Sequence, residues 1–570
     1  MQEKIKNLIR DALENLDIAV TEISLEHPSI LEMGDYSTNI AMVCAKASKT
    51  NPKELADKIV AEMLRLNTDK YIEKIEASVG FINFFLSRKF FAGSIEEILN
   101  KGENVGANAV LSGKKIMIEY TDPNPFKPFH IGHLKTNAIG ESIARILEHS
   151  GAIVSRANYQ GDVGLHVARA IWGLQKDKKL QDKTGNHTIH AANIGKAYAL
   201  GANAYENDPK AKKEIDEINK KIYDRSDEKI NQIYDWGLEE TMKAFEDIYD
   251  MLGTQFDFYF LESEMILIGE QIVKDNLGKV FHKSDGAVIF EGGEYDEKLH
   301  TRVFITSQGL PTYETKELGL TVEKFKTVPN MSLSIVITAN EQADYMKVVA
   351  KAISLIHPDY ENKMLHITHG VMRFTFGKMS SRKGNVITGE TLIRDTKTLV
   401  REKMQDGNFT EIENEKIAEQ ISIAALKYSI LKQATGGDTV YDSKSSISFE
   451  GDSGPYLQYS YARANSVLEK AKKENILPDP DILLTEIFEV EKLLYRFPEV
   501  VLRSAREYEP HYIANYLIEL ARAYNSFYGN TVIVNKDDPT SPYRVALTFA
   551  FASVMKKGLH LLGIKAPEKM

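Results

Sequence analysis

The stretch from Lys114 to Tyr159 limits the fold of this 570-residue chain more than any other. KKIMIEY reads as a short apolar strand. A proline-rich corner follows, PNPFKPFHIGHL, Pro123 to Leu134. Leu134 to Ser150 then has helical spacing, with Ile139, Ile143, Ile146 and Leu147 on one face and Gly151 as the stop. AIVSRANY is a second strand. Strand, helix and strand within about 45 residues form a βαβ unit, so the two strands run parallel.

The same alternation recurs downstream. TRVFITS precedes a helical YETKELGLTVEKF, and SLSIVITA precedes a helical YMKVVAKAISLI. LHITHGVMRF reads as a further strand, and SDGAVIF as part of a hairpin. Between these halves, a charged helical stretch within 175–250 reads as an insertion with a solvated face, exposed at the sheet's edge. Before the first strand, residues 1–110 show helical periodicity, a helix start at Asn51-Pro52 and a β-like ASVGFINFFLS. From about Glu411 onward the pattern is mostly helical. At roughly 100–200 residues per domain the chain holds about three or four domains. The expected division is an α+β unit over 1–110 and a parallel-sheet unit over 111–395. A helical connection over 396–450 and an all-α region over 451–570 complete it.

Hydrophobic residues at 43% and charged residues at 27% are ordinary for a globular protein. Cys44 is the single cysteine, which excludes an intrachain disulfide, and the first helix lacks a signal-peptide core. The run VALTFAFASVM is too short for a bilayer of about 30 Å. No membrane partner is expected, and the expected compartment is cytoplasmic. A net charge of −10 argues mildly against nucleic acid as a partner, although phosphates respond to local potential.

His130 and His133 at the corner raise the question of a metal. A zinc site needs a third and usually a fourth ligand; the chain has no cysteine cluster and no HExxH. Histidines satisfied by the backbone are a second reading. The third follows from location. A helix N-terminus beyond the carboxyl end of a parallel strand favours anions. Gly132 permits close approach of a flat ligand, and imidazole N–H groups can donate to phosphate oxygens. The corner suits a nucleoside triphosphate, yet it has neither a GxGxxG nor a GxxxxGK[ST] loop.

HIGH, His130–His133, resembles the first signature of class I aminoacyl-tRNA synthetases. GKMSSRKGN, Gly377–Asn385, resembles the second, KMSKS, in the expected order and about 250 residues later. EYTDPNPFKPFHIGHLKTNAIGESIARIL, NYQGDVG, SFEGDSGPYLQYSYARA and LLGIKAPEKM are similar to the arginyl-tRNA synthetase family. The resemblance runs from near Gly34 to Met570. It implies a multidomain α/β fold: a class I Rossmann-like catalytic core, an N-terminal α+β domain that binds the tRNA elbow, and a C-terminal anticodon-binding helical bundle.

It also implies the chemistry. ATP, carrying Mg²⁺ without a dedicated protein site, activates L-arginine to an adenylate, and the arginyl group passes to the 3′ end of tRNA. His130, Gly132 and His133 would contact ATP, with Lys378, Met379 and Ser380 of the second signature. Ser381 stands where KMSKS has its second lysine. Lys127, three residues before His130, is placed to substitute, and Lys383 is another candidate. Glu119 and Asn124 match family residues that bind the amino acid. Asp122, where serine is frequent, stands at the same mouth. Tyr313 and Glu317, four apart on one helix face, and Gln342 complete the arginine set; the family commonly has aspartate at 317. A guanidinium calls for such carboxylate and carbonyl acceptors.

Arg463, Tyr459, Tyr524, Asn525 and Tyr528 suit an anticodon loop read by stacking and polar contacts. Asn83 and Phe85 in FINFFL offer a stacking edge for tRNA. The family's Asp-Ala-Leu-Arg tetrad is not evident, and YRVALTFAF occupies its place. The family is usually monomeric and usually needs tRNA for activation. A small-molecule nucleotidyltransferase shares an HxGH corner, and a synthetase-like RNA-binding protein without catalysis is a third reading.

Overall fold

In a computed structural model, residues 1–19, 22–375, 388–404, 409–482 and 484–570 are described. Three strands come first: β1 (Tyr36–Thr38), β2 (Ile72–Ser78) and β3 (Phe81–Leu86). They form an antiparallel sheet in the order β1-β3-β2. Helices Gln2–Asn15 and Pro52–Leu66 pack through Ile5, Ile9, Ile59 and Met63 onto a core with Phe84. Asn51 caps the second helix by accepting from the Lys53 N–H, with proline in its first turn. FINFFL is therefore the central strand, not an edge. Asn83 is buried with its side-chain oxygen accepting from Ser37 Oγ, and half-buried Phe85 lies under the Lys74 ammonium.

The remaining strands are β4 (Lys115–Glu119), β5 (Ile153–Gln160), β6 (Phe258–Leu261), β7 (His282–Ser284), β8 (Ala287–Glu291), β9 (Thr301–Ile305), β10 (Leu333–Ala339), β11 (Met364–His369), β12 (Met372–Phe374) and β13 (Thr439–Tyr441). Five of them form a parallel sheet in the order β11-β10-β4-β5-β6. The chain runs outward from β4 through β5 to β6, then returns beside β4 and runs outward through β10 to β11. The order reverses between β4 and β10, and a doubly wound sheet opens a ligand crevice at such a point. Glu119 ends β4 there, in register with Val336 of β10 and Ala157 of β5.

Two readings of strand order change. TRVFITS is not in the parallel sheet. It is β9 of a separate antiparallel meander, β7-β8-β9, whose first turn is Asp285-Gly286 with both φ positive (49° and 82°). The third strand on the β5 side is FYFL, β6, whose aromatic run has no alternation to mark it. The charged insertion is also more than a solvated face. Helices Leu165–Lys176, His187–Asn207, Pro209–Asp224 and Glu228–Leu252 share a core of Ile171, Ile194, Ile215 and Ile218, joined by Phe126 of the corner.

Helices Gly389–Lys403 and Glu411–Leu431 lead to β13, which pairs with β12. The C-terminal helices are Gly454–Lys473, Glu489–Leu494, Phe497–Glu507, His511–Asn530 and Ser541–Leu561. VALTFAFASVM lies in the last and is largely buried. Among the described residues no helix is long and apolar enough to cross a membrane.

The corner helix, Ile131–His149, lies between the sheet and these helices, and its Gly140 meets Tyr120 just beyond β4. A Cβ on Gly140 would stand 2.2 Å from Tyr120 Cγ. Gly140→Ala should therefore cost about 1–3 kcal/mol of stability through overpacking. The midpoint of cooperative urea unfolding measures it; an unchanged midpoint would mean that helix and strand separate freely.

Candidate active site

Beyond β4 the backbone turns sharply: Thr121, Asp122 and Phe126 all have positive φ (79°, 46° and 66°). Asp122 Oδ1 accepts from the Tyr159 N–H at 2.8 Å, which ties this turn to β5. The corner helix then begins with a reciprocal cap. His130 Nδ1 accepts from the Gly132 N–H at 3.0 Å, and His133 Nδ1 accepts from the His130 N–H at 3.3 Å. The rings stack with centroids 3.6 Å apart. A Cβ on Gly132 would stand 2.8 Å from His130 Cε1, so the imidazole itself requires the glycine.

This geometry fixes the tautomer. A ring nitrogen that accepts carries no proton, so each neutral imidazole carries its N–H on Nε2. Burial lowers the pKa of both rings. For His130 the Lys127 charge adds to it; for His133, pushed well below its usual value, His130 and then Lys127 add to it. At neutral pH the pair presents uncharged N–H donors. The backbone satisfies Nδ1 of each ring, which leaves the Nε2 N–H of each as the group available to donate.

One cavity of about 890 Å³ lies at the reversal of strand order. Lys127, His130, Gly132 and His133 line one side of it. Glu119, Asp122, Asn124, Tyr313, Glu317 and Gln342 also line it, so the residues expected for nucleotide and amino acid meet in a single space. Tyr313, at the first turn of helix Tyr313–Thr327, is 73% exposed at the mouth, whereas Glu317 one turn on is 6% exposed. Asn124 Oδ1 rests where a Cβ of Gly161 would lie, at 2.2 Å, and Gln342 Oε1 accepts from Tyr345 at 3.3 Å.

The acidic wall is short of positive charge. Glu317 Oε1 is buried with no hydrogen-bond partner among the described residues. Burial, and then the Glu119 charge, raise the Glu317 pKa to about 7 against the pull of Lys324. Burial and Glu119 likewise hold Asp122 well above the usual carboxylate range. Lys324 Nζ lies 2.5 Å from Glu119 Oε2. Burial alone would lower the Lys324 pKa, but attraction from Glu119 and Glu317 outweighs it and holds the group charged.

Sequence reasoning missed several lining residues. Tyr159, in the NYQGDVG segment, has a buried hydroxyl without a hydrogen-bond partner among the described residues. Arg169 comes from helix Leu165–Lys176, and Tyr198, Asn219 and Tyr223 come from the insertion, which walls the cavity. Lys324 follows Glu317 by seven residues on one helix, a same-face spacing that was there to be used.

Lys378, Met379 and Ser380, with Ser381 and Lys383, lie outside the described residues. The residues on either side are anchored. Thr375 Oγ1 donates to Asp442 at 2.9 Å, Thr388 bridges to His130, and the Gly389 N–H donates to the Phe129 carbonyl at 2.7 Å. Thr388 and Gly389, which follow the second signature in sequence, thus lie against the first.

Outside the cavity's lining, the Arg463 guanidinium lies 4.8 Å from the Tyr459 ring centroid and 5.0 Å from that of Tyr528, and donates to Asn525 Oδ1 at 2.6 Å. Tyr459 and Tyr528 are exposed. Tyr524 is not part of this surface. It is fully buried and stacks on Phe551 with centroids 3.8 Å apart, which leaves no face for a base.

Three family models match the chain: "Arginyl tRNA synthetase N terminal domain" over residues 3–86, "tRNA synthetases class I (R), catalytic domain" over 94–443, and "DALR anticodon binding domain" over 457–570. The last includes YRVALTFAF although the literal tetrad is missing. Similar curated proteins include the arginine–tRNA ligases of Clostridium perfringens, 32% identical over 100% of this chain and 99% of that protein, and Halothermothrix orenii, 31% identical with the same coverage. The solved Thermus thermophilus arginyl-tRNA synthetase shares the fold with a TM-score of 0.82 at 22% identity, each chain covered in full. That of Plasmodium falciparum gives 0.79 at 20%, covering 100% of this chain and 99% of that one. On these matches the chain belongs to the arginyl-tRNA synthetase family.

Proposed function

We propose that the protein is an ATP-dependent arginine–tRNA ligase. One observation carries the reading: an acidic wall with an unpartnered buried carboxylate oxygen shares a cavity with two neutral imidazole donors, in a chain of this family. A guanidinium supplies the missing cation, and its planar fork matches carboxylate acceptors. Glu119, Asp122, Asn124, Tyr313, Glu317 and Gln342 form the arginine site.

In the first step an arginine carboxylate oxygen bonds to the α-phosphorus of ATP, and the bond to pyrophosphate breaks. His130 and His133 donate through Nε2 to phosphate oxygens as charge builds on them, without needing to titrate. Gly132 leaves room beside them. Lys127 brings a positive charge to the same mouth. Burial, then the nearby Arg169, lower its pKa, costs that an arriving triphosphate relieves. Lys378, Met379 and Ser380 complete the ATP set. Mg²⁺ enters with the phosphates; among the described residues no group of three or more His, Cys, Asp or Glu could hold a metal ion. In the second step a ribose hydroxyl of the terminal adenosine of tRNA displaces AMP.

For the tRNA body, Arg463, Tyr459, Asn525 and Tyr528 in region 451–570 suit the anticodon loop, because a guanidinium between two exposed rings offers stacking and hydrogen bonding together. The unit over 1–110 takes the elbow. The protein acts as a cytoplasmic monomer in this reading.

Charging of tRNA with labelled arginine tests the whole; no charging with an active pyrophosphate-forming reaction on another substrate would favour a small-molecule nucleotidyltransferase. Lys127→Ala should lower ATP–pyrophosphate exchange, measured with tRNA present, by at least about tenfold, or about 1.4 kcal/mol of transition-state stabilisation. Near-wild-type exchange would remove the compensating role. Glu317 is protonated below pH about 7 and ionised above it. Guanidinium binding needs the ionised form, so kcat/KM for arginine should rise with pH through about 7 and then level. Glu317→Gln should raise the KM for arginine strongly, leave that for ATP nearly unchanged and flatten this rise.

A further inference from the structure

We propose that Lys324 is a positioning residue of the arginine pocket: its buried ammonium holds Glu119 in an ion pair and sets the wall to accept one further cation. The inference rests on the arginine reading of the cavity and deepens it.

Lys324 is fully buried, so its side chain has no route to solvent. Its Nζ meets Glu119 Oε2 at 2.5 Å, from a helix on the far side of the crevice from the corner. The same helix carries Glu317, whose Oε1 has no hydrogen-bond partner among the described residues. The groups facing this cluster are Glu119 at the end of β4, Asp122 in the corner, Glu317 on the helix of Lys324, and His366 on β11. Tyr159 of β5 and Tyr345 of helix Ala343–Ile356 feel the carboxylates.

Counting charges gives the argument. Three carboxylates and one ammonium leave an excess of two negative charges if all are ionised. Buried like charges cannot all be kept. Asp122 is pushed toward its protonated form, by burial and by Glu119. Burial, then Lys347 and Lys324, lower the pKa of His366 to about 4, so it adds no charge. Lys324 neutralises Glu119. Glu317 remains as the one carboxylate whose charge is unmatched, and one guanidinium balances it. Lys324 thus does two things without touching the substrate. It holds the Glu119 carboxylate as a close ion pair, and it keeps the wall from demanding two cations.

The sign of its removal follows. Lys324→Met takes away the attraction that favours the ionised form of Glu317. The rise of kcat/KM for arginine with pH should move upward by about one pH unit, and the value at pH 7 should fall about fivefold. The KM for ATP should stay within about twofold. Lys324→Arg keeps the charge and should restore the wild-type pH midpoint.

A second test survives if Lys324→Met fails to fold. In Glu119→Gln the ammonium loses its partner and stands beside Glu317 as a rival to the guanidinium. Adding Lys324→Met to Glu119→Gln removes the rival in a pair that is neutral and therefore tolerated. The double variant should exceed the Glu119→Gln single variant in kcat/KM for arginine by at least about threefold. An unmoved pH midpoint in Lys324→Met, or no gain in the double variant, overturns the proposal. Failure of the wild type to charge tRNA with arginine would instead remove the reading on which it rests.

Discussion

A helix buried on all sides must pair every polar group it carries, and in this protein that requirement ties the domains together. Fourteen of the nineteen residues of Ile131–His149 are buried. Its polar side chains reach out in different directions. Lys135 donates to the carbonyls of Gly370 and Gly437, between β11 and β12 and just before β13. Asn137 joins Thr121 of the corner to Thr254 beyond the insertion. Glu141 accepts from Tyr120, Arg145 and Arg156, and Ser142 donates to the Leu561 carbonyl. A buried polar group left unpaired costs about 1–3 kcal/mol. Each surrounding unit is therefore held to the element that presents His130 and His133.

The site works by contrast between its two sides. One side offers donors that are neutral because they are buried, each oriented by a backbone N–H bonded to its other nitrogen. The other side offers acceptors in excess of their resident cation. Reorganisation is small in both cases, because the protein fixed these dipoles and charges in folding. In the proposed reading a nucleotide and a cationic amino acid are drawn to opposite walls, and their reacting groups meet between them.

Much of this was legible in the sequence. The βαβ spacing gave the parallel sheet, and the corner's residue types placed His130, His133, Lys127 and Glu119 in one mouth. Tyr313 and Glu317 followed from helical spacing. What escaped did so for physical reasons. β6 is a short aromatic run without alternation, and β9 has the same local pattern as a parallel strand; only the return of the chain decides its partner. Ile139, Ile143, Ile146 and Leu147 marked one apolar face of the helix, yet the opposite face is buried too, through paired polar groups. Tyr524 and Tyr528 lie one turn apart on one helix, yet the first ring is fully buried and the second exposed, and composition cannot tell a stacking platform from a core ring. Lys324 needed Glu119 brought beside it from a distant strand.

The bond from Ser142 to Leu561 joins residues 419 positions apart. Lys427, buried in helix Glu411–Leu431, similarly donates to the carbonyls of Leu252 and Gly563. At about 5–20 residues per second, translation would deliver Leu561 roughly 20–80 s after Ser142. During that interval the corner of His130 and His133 has been synthesised but one side of its helix has no cover. A ribosome that stalls near residue 500 thus releases a chain with both signatures and an apolar helix face exposed. Cells would meet it as a chaperone client and a protease substrate rather than as a half-working enzyme, so competence to charge tRNA comes only when the anticodon-binding helices have been made.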